Sequence, residues 1–208
     1  MPVRAIGRRR ALALAGAVLF VLTASGPVVA APDPADATAF VSLTGEKVLA
    51  VLRDKSLSQD AKLQRLIEIL DGPIDLELVG RLVLGRHWRT ATPEQQAEYQ
   101  RLFRAYALET LASRLNLYSG QTFEIEGAQV ANERDTLVRM VILSDERPPL
   151  NVEWRLRNRD DGELVAIDMV VEGVSLIITQ RSEFDSVIQR DGMDGLLAEL
   201  RKRAGDRA

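Results

Sequence analysis

The 208-residue chain has no cysteine, a single histidine, His87, and few aromatic residues, which make up 5% of it. Without cysteine, the chain has no disulfide framework, no thiolate nucleophile and no cysteine-ligated metal site. A single histidine also removes most zinc and iron sites, which draw on several imidazoles. We therefore expect neither a metal nor a cofactor.

The charge balance argues against a nucleic-acid partner. Lysine and arginine number 27, aspartate and glutamate 30, and the formal net charge is −3 at pH 7. Proteins that bind nucleic acid instead present an excess of basic side chains to the phosphates. Hydrophobic residues make up 46% and charged residues 27%, which is an ordinary globular composition and excludes a disordered, collagen-like or coiled-coil chain.

The first 30 residues have the pattern of an export signal. Four arginines and no acidic residue precede an apolar run at residues 11–22, and small residues follow at 28–30. This order is typical of a secretory signal peptide, and the run is shorter than the roughly 20 residues of a membrane-spanning helix. We predict cleavage after Ala30. The arginines also permit twin-arginine export, although Ala11 weakens that pattern and favours the general route.

Cleavage at that point leaves a mature chain, residues 31–208, that is distinctly acidic. It keeps 23 basic and 30 acidic residues, a net charge of −7. Anionic lipid head groups repel such a chain. If the protein handles lipids, we therefore expect it to dock on other proteins rather than adsorb to a membrane surface.

Helical patterns fill the first half of the mature chain. Asp33 and Ser58 are suitable capping residues for two helices, and a third, short helix is predicted over residues 75–84. The clearest signal is the capping box at residues 92–95, with proline at the first helical position. It opens a long helix predicted over residues 93–118. The apolar stripe of this helix includes Tyr99, Leu102, Phe103, Tyr106, Thr110 and Leu117.

After Gly120 the hydrophobic period changes from that of a helix to that of a strand. Alternating apolar and polar residues predict a series of strands joined by turns. The strands begin at Phe123 and cover residues 137–142, 150–157 and 164–171, followed by an apolar stretch at 174–178.

Two short helices, predicted over residues 182–190 and 193–203, close the chain on either side of Gly192. Helices followed by a meander of strands predict an α+β fold with a twisted antiparallel sheet of about four or five strands. No linker, internal repeat or low-complexity segment follows residue 32. We therefore expect a single domain over residues 31–208.

One face of the predicted strands and the stripe of the long helix together form a large apolar surface. Any α+β domain needs such a surface for its core, so spacing alone favours a plain hydrophobic core. The sequence does not show whether the two layers close on each other or leave a cavity. The strand residues predicted to face inward are Val138, Met140, Ile142, Val152, Trp154, Leu156, Val165, Ile167, Met169 and Val171.

Residues that could carry catalysis are few. Ser175, His87 and Asp168 are the residue types of a hydrolase triad, but no G-x-S-x-G motif surrounds the serine. Acidic pairs such as Asp160 and Asp161 lie in predicted turns, where solvated acids are ordinary. We expect no enzymatic activity, and a hydrolase that uses Ser175 or a carboxylate pair remains an alternative.

Three stretches of the mature chain resemble the MlaC family of periplasmic phospholipid-binding proteins, also called toluene-tolerance proteins. Their combined order and spacing, over roughly residues 75–200, are specific. The matching residues are 82–85, Trp88 and 90–95; Phe103, Tyr106 and 117–122; and 168–176, Arg181, Phe184, Gly192 and 194–196.

The resemblance implies a carrier in the Gram-negative periplasm that holds a phospholipid by its acyl chains in an apolar cavity between a sheet and helices. It implies transfer between an outer-membrane lipoprotein complex and an inner-membrane ABC transporter with an MCE-domain subunit, which maintains outer-membrane lipid asymmetry. It also places Glu172 and Ser175 in a turn at the cavity mouth. The residues expected to contact the lipid are Phe103, Tyr106, Met140, Trp154, Ile167, Met169, Val171, Val174 and Leu176.

Two further alternatives stay open on the sequence. Some relatives are linked to hopanoid-producing bacteria, so the cargo could be a hopanoid or another lipid. The protein could instead be a periplasmic adaptor that bridges membrane complexes, with a filled core and no bound lipid.

Overall fold

The computed structural model describes residues 30–115 and 118–205. Residues 1–29 of the predicted signal peptide, and Leu117 of the predicted helical stripe, lie outside the described residues. The helices are α1 (Pro34–Arg53), α2 (Gln59–Leu70), α3 (Leu76–Leu84), α4 (Pro93–Leu115) and α5 (Leu176–Gly205), with a 3₁₀ helix at Gly85–Arg89. The strands are β1 (Thr122–Val130), β2 (Asp135–Leu143), β3 (Leu150–Asn158), β4 (Leu164–Val171) and β5 (Val174–Ser175).

Side-chain caps fix the starts of α1, α2 and α4, as the sequence predicted. Asp33 accepts a hydrogen bond from the Ala35 amide at 2.8 Å, and Ser58 accepts one from the Ala61 amide at 3.2 Å. At the start of α4, the Gln95 amide donates to the Thr92 hydroxyl at 3.3 Å and the Thr92 amide donates to the Gln95 side-chain oxygen at 3.0 Å. This reciprocal pair is the predicted capping box.

The five strands form one antiparallel sheet in the order β1-β2-β3-β4-β5. Each strand therefore pairs with its neighbour in sequence, and the predicted α+β fold with its meander of strands is confirmed. Of the helices, α1 packs on β1 and β2, and α3 and α5 lie next to β4. No helix among the described residues combines the length and the apolar character needed to cross a membrane.

The last helix differs from the prediction. It begins at Leu176 rather than near Ser182, because the Ser175 hydroxyl accepts a hydrogen bond from the Ile178 amide at 3.2 Å and caps a new helix there. The apolar residues 174–178 therefore belong to a short strand and a first helical turn. Gly192 (φ 72°) kinks the helix where a break between two helices was predicted.

A bulge in β4 changes which of its residues face inward. Trp154 pairs with Met169, but Leu156 pairs with Ala166, and Ile167 has no partner in the register. The extra residue reverses the alternation beyond it, so Ala166 shares a face with Met169. The prediction that Val165 continues the face of Met169 and Val171 is therefore wrong, whereas Ile167 is the bulged residue itself and is buried.

The buried residues form two clusters. The first, here called the helical core, is built from all five helices and is centred on a group of four aromatic rings, Tyr99, Phe103, Tyr106 and Phe184. The Tyr99 hydroxyl donates to the Gly80 carbonyl at 3.0 Å, and burial raises the pKa of this tyrosine. The second, here called the sheet core, joins the start of α1 to the inner face of the sheet. Its buried members are Ala37, Val41, Val138, Met140, Val152, Leu156 and Ala166.

Candidate functional site

A cavity of about 830 Å³, here called the large cavity, separates much of α1 and the end of α4 from the inner face of the sheet. Its walls are mainly apolar: Phe40 and Leu49 belong to α1, and Phe123, Val152 and Val171 belong to the strands. Ligand cavities for small molecules span roughly 300–1,000 Å³. The sheet and helix layers therefore do not close into the plain hydrophobic core that spacing alone favoured.

A second space of about 480 Å³, here called the small cavity, lies among α3, α4, the start of α5 and β4. Phe103 and Tyr106 form part of its wall on α4, and Ile167 and Leu176 part of the opposite wall. The Tyr106 hydroxyl donates to the Gln180 side-chain oxygen at 3.0 Å, which closes one corner between α4 and α5.

The two cavities are adjacent and share a wall. The Trp154 indole within this wall donates to the Met140 sulfur at 2.9 Å, so its one polar group is bonded within an apolar surface. The residues that line both cavities are Ile74, Leu111, Arg114, Trp154, Ala166 and Met169.

Strand register places the mouth of the large cavity at one end of the sheet. Thr122 pairs with Leu143 and Val152 with Val171, so the beginnings of β1 and β3 lie beside the ends of β2 and β4. The polar residues that line the large cavity come mainly from the loops at this end. We call them the polar rim: Tyr118, Gln121, Thr122, Ser144, Arg147 and Glu172.

The turn between β4 and β5 forms one side of this rim. Glu172 has a φ of 48° and Gly173 a φ of 78°, which is the geometry of a tight two-residue hairpin turn. Glutamate rarely adopts a positive φ, and two bonds hold it there. The Glu172 carboxylate accepts from the Asn151 amide at 2.6 Å, and the Glu172 amide donates to the Asn151 carbonyl at 3.0 Å.

The opposite end of the sheet is closed by the hydrogen bonds and ion pairs of Asp135 and Thr136, here called the polar ties. The buried Asp135 carboxylate accepts from Arg157 at 2.6 Å, from Arg155 at 2.5 and 2.8 Å, and from Asn132 at 3.0 Å. Burial alone would raise the pKa of Asp135, but these donors outweigh it and lower the pKa to about 2. The Thr136 hydroxyl also donates to the Pro32 carbonyl at 2.6 Å, which anchors the chain before α1.

Eight of the nine residues expected to contact a ligand line one or both cavities. Met140 and Val171 line the large cavity, and Trp154 and Met169 line both. Four line the small cavity, namely Phe103, Tyr106, Ile167 and Leu176. Ile167 does so through the bulge rather than through the predicted strand alternation.

Val174 is the exception, because it lines neither cavity. It follows the β4–β5 turn and is 57% exposed. Its apolar character and position in the matched stretch made it a candidate, but it is the first residue of β5, directly after the turn, and its side chain lies at the surface.

The sequence did not identify the contribution of α1. Phe40, Leu49 and Gly45 of this helix line the large cavity, and the Gly45 backbone lies against the Phe123 ring. The helical spacing of Phe40, Val48 and Val51 showed an apolar side, but nothing in it distinguished a cavity wall from a core. Arg114, which lines both cavities, was also missed because only apolar and aromatic residues of α4 were taken as candidates.

The residue types of a hydrolase triad do not come together. The Ser175 hydroxyl donates to the Asp168 carboxylate at 2.6 Å while capping α5, but His87 contacts Asp185 at 2.6 Å. A hydroxyl that donates to an aspartate and has no imidazole beside it lacks the base that would activate it as a nucleophile. Among residues 30–115 and 118–205, no group of three or more histidine, aspartate or glutamate residues is arranged to hold a metal ion.

The chain is similar to solved and curated proteins over most of the described fold. A phospholipid-binding protein from Ralstonia solanacearum, solved in complex with a phospholipid, superposes with a TM-score of 0.68 at 27% identity. The match covers 81% of this chain and 96% of that one.

Two curated relatives carry related names. The Haemophilus influenzae intermembrane phospholipid transport system binding protein MlaC is 26% identical over 135 residues, which span 63% of either chain. The toluene tolerance protein ttg2D of Pseudomonas putida is 25% identical over 181 residues, or 85% of this chain and 83% of that one.

The sequence also matches a family model over a long continuous range. The model is that of the MlaC protein, and it matches residues 43–202, from the middle of α1 to the last turns of α5. The match includes every strand of the sheet and most of the walls of both cavities. The chain therefore belongs to the MlaC family.

Proposed function

We propose that this protein is a periplasmic carrier that holds a phospholipid by its acyl chains and transfers it between membrane complexes. The observation that carries the proposal is the pair of adjoining apolar cavities, about 830 and 480 Å³, whose polar rim lies at one end of the sheet. An apolar wall suits acyl chains, and a polar rim suits a head group that stays near water. The similarity to a protein solved with a phospholipid supports this cargo.

The energetics of such a cavity favour exchange with a membrane and prevent release into water. Burial of one methylene is worth about 0.8 kcal/mol, so an acyl chain with ~12–14 sheltered methylenes gains roughly 10 kcal/mol relative to water. A bilayer offers the chain a similar gain. Transfer between membrane and cavity is thus close to neutral, whereas escape into the aqueous phase is very unfavourable.

This balance requires docking partners at both membranes. We propose an outer-membrane lipoprotein complex on one side and an inner-membrane ABC transporter with an MCE-domain subunit on the other, which together maintain outer-membrane lipid asymmetry. The net charge of −7 after signal cleavage supports docking on proteins, because it disfavours direct adsorption to anionic lipid. The apolar chains of the lipid can then pass directly between the cavity of this protein and that of its docked partner without crossing water.

Export to the periplasm is part of the proposal. Cleavage after Ala30 leaves Ala31 at the new terminus, where its backbone nitrogen lies 2.9 Å from the Glu133 carbonyl next to β2. The chain from that point on is thus tied to the fold. The intact mass of protein recovered from the periplasm tests this assignment, since it must equal that of residues 31–208.

Native mass spectrometry of the periplasmic protein tests the carrier function directly. We expect a bound mass that organic solvent releases as phospholipid, and analysis of the extract identifies the head group and chains or reveals a hopanoid instead. A protein that carries no lipid under gentle conditions, and takes up none from vesicles, would contradict the proposal and favour the adaptor.

A cavity variant separates lipid binding from folding. Met169 lines both cavities, so Met169→Glu places a carboxylate against the acyl chains at either side of the shared wall. We expect a folded protein with little bound lipid, while the apolar control Met169→Leu retains its lipid. Unchanged lipid content in folded Met169→Glu would show that the lipid lies elsewhere.

A further inference from the structure

The described charged residues that line the cavities are few, and Arg114 alone among them lines both. It lies in the last turn of α4. The other residues of the shared wall are buried or half-buried, whereas Arg114 is exposed. Arg114 therefore marks the place where the wall between the two cavities meets solvent.

Arg114 also has no polar partner within the described part of the chain. Its side chain has neither an ion pair nor a hydrogen bond with any described residue. The three other charged residues of the small cavity have partners: Arg203 pairs with Glu199, Asp168 accepts from Ser175, and Glu183 accepts from Gln180. At the large cavity, Glu172 accepts from Asn151, and Arg147 has neither an ion pair nor a hydrogen bond with a described residue but lines this cavity alone. In a chain that becomes more acidic after signal cleavage, a free guanidinium at this junction is available to a ligand anion.

We infer that Arg114 binds the phosphate of a two-chain phospholipid whose acyl chains enter the large and the small cavity separately; this inference rests on the proposed carrier function. A glycerol backbone keeps the phosphate within a few bonds of both ester groups. A lipid with one chain on either side of the shared wall therefore carries its phosphate at the solvent end of that wall. The planar guanidinium fork matches phosphate oxygens, and the contact is charge-assisted.

This arrangement predicts a preference between lipids with identical chains. A phosphatidylglycerol and a diacylglycerol fill the same apolar volume, but only the first offers an anion to Arg114. Trp154 supplies a reporter, because it lines both cavities and is one of two tryptophans in the chain. Brominated acyl chains that enter either cavity quench its fluorescence on contact.

The test measures quenching of the delipidated mature protein by brominated phosphatidylglycerol and by diacylglycerol with the same chains, both delivered from neutral detergent micelles. We expect Arg114→Gln to bind the phospholipid about five- to tenfold more weakly and the diacylglycerol as well as the wild type does. Arg114→Lys keeps the charge and recovers part of the loss. At about 1 M NaCl, where the screening length is about 3 Å, the difference between wild type and Arg114→Gln shrinks.

Two arginines serve as matched controls. Arg139 is an exposed residue of β2 that lines neither cavity, so Arg139→Gln makes the same charge change and leaves binding of both lipids unaltered. Arg147 lines the large cavity alone, and Arg147→Gln weakens phospholipid binding less than Arg114→Gln does.

Phospholipid binding by Arg114→Gln that equals the wild type, or a larger loss in Arg147→Gln, would overturn the assignment while leaving the carrier function intact. An equal loss for both lipids in Arg114→Gln would assign Arg114 to the cavity structure and overturn it as well. Failure of the wild type to bind either lipid would instead refute the carrier function.

Discussion

The helical core and the large cavity are built from the same kinds of residue, but they differ in how completely these residues fill space. In the helical core, Leu66 of α2 is fully buried and the rings of Tyr99, Phe103 and Phe184 pack on one another. Around the large cavity, Leu49, Phe123 and Val171 are only partly buried and face an open volume. The helical core therefore contributes more to the stability of the fold, whereas the side chains of the cavity wall are less tightly packed and leave space for a ligand.

Matched leucine substitutions give the largest expected contrast between the two regions. Leu66→Ala removes a fully packed side chain and is expected to lower the free energy of unfolding by about 3 kcal/mol. Leu111→Ala removes a side chain that borders both cavities and is expected to cost about 1 kcal/mol, because fewer packed neighbours are lost. Urea denaturation of the delipidated proteins measures both values, and equal losses would show that the cavity wall is packed as tightly as the core.

The polar ties at the closed end of the sheet predict a pH dependence. The pKa of Asp135 is lowered from 3.8 to about 2, so its ionised form favours the folded state. The contribution is complete above the unfolded pKa and is lost as the pH falls from about 4 to about 2. Asp135→Asn should lower stability at neutral pH by less than Leu66→Ala and flatten the decline between pH 4 and pH 2. A decline as steep as that of the wild type would assign the acid sensitivity to other carboxylates.

Alanine substitutions at two helical glycines test the same comparison between the helical core and the large cavity, because each adds a methyl group to one of the two regions. At Gly80 a methyl group would lie 3.0 Å from Phe103 and 2.7 Å from Gln100. Although Phe103 borders the small cavity, its ring is 3% exposed and packs on Tyr99 and Phe184, which restricts its movement. We expect Gly80→Ala to cost about 1–2 kcal/mol. At Gly45 the methyl group would lie 2.6 Å from the Phe123 ring, which also lines the large cavity and can move into it.

Gly45→Ala should therefore change stability little, because the gain in helix propensity of about 1 kcal/mol offsets the displaced ring. It should instead reduce lipid affinity by narrowing the cavity. Thermal unfolding and lipid titration of the two alanine variants, compared side by side, measure these effects. A Gly45→Ala protein that is less stable than Gly80→Ala would contradict the proposed difference in packing.

The parts of the fold governed by local signals could be predicted from the sequence. Thr92, Pro93 and Gln95 fix the start of α4 through a reciprocal cap, which depends on residues within one turn. The start of α5 could not be predicted in the same way, since residues 174–178 are apolar and match a strand as well as a helix. The Ser175 cap decides between them, and its bond to Asp168 depends on the β4–β5 hairpin.

The candidate site was predictable in its composition and unpredictable in its shape. Apolar residues such as Met140 and Met169 are equally suited to a core and to a cavity wall, so their spacing could not reveal an open volume. The bulge at Ile167 depends on pairing with β3, and the exposure of Val174 depends on the position of the β4–β5 turn. Arg114 acquires its position only when α4 packs against α2, α3 and α5.

Two valines of the β4–β5 hairpin provide the most direct test of the central claim that the apolar cavities hold the lipid. Val171 lines the large cavity, whereas its register partner Val174 is 57% exposed and lines neither cavity. The same substitution, valine to glutamate, is made at both positions, and lipid occupancy is measured by native mass spectrometry on proteins shown to be folded by circular dichroism. We predict that Val171→Glu loses its lipid and Val174→Glu retains as much as the wild type. Equal lipid content in the two folded variants would contradict the claim.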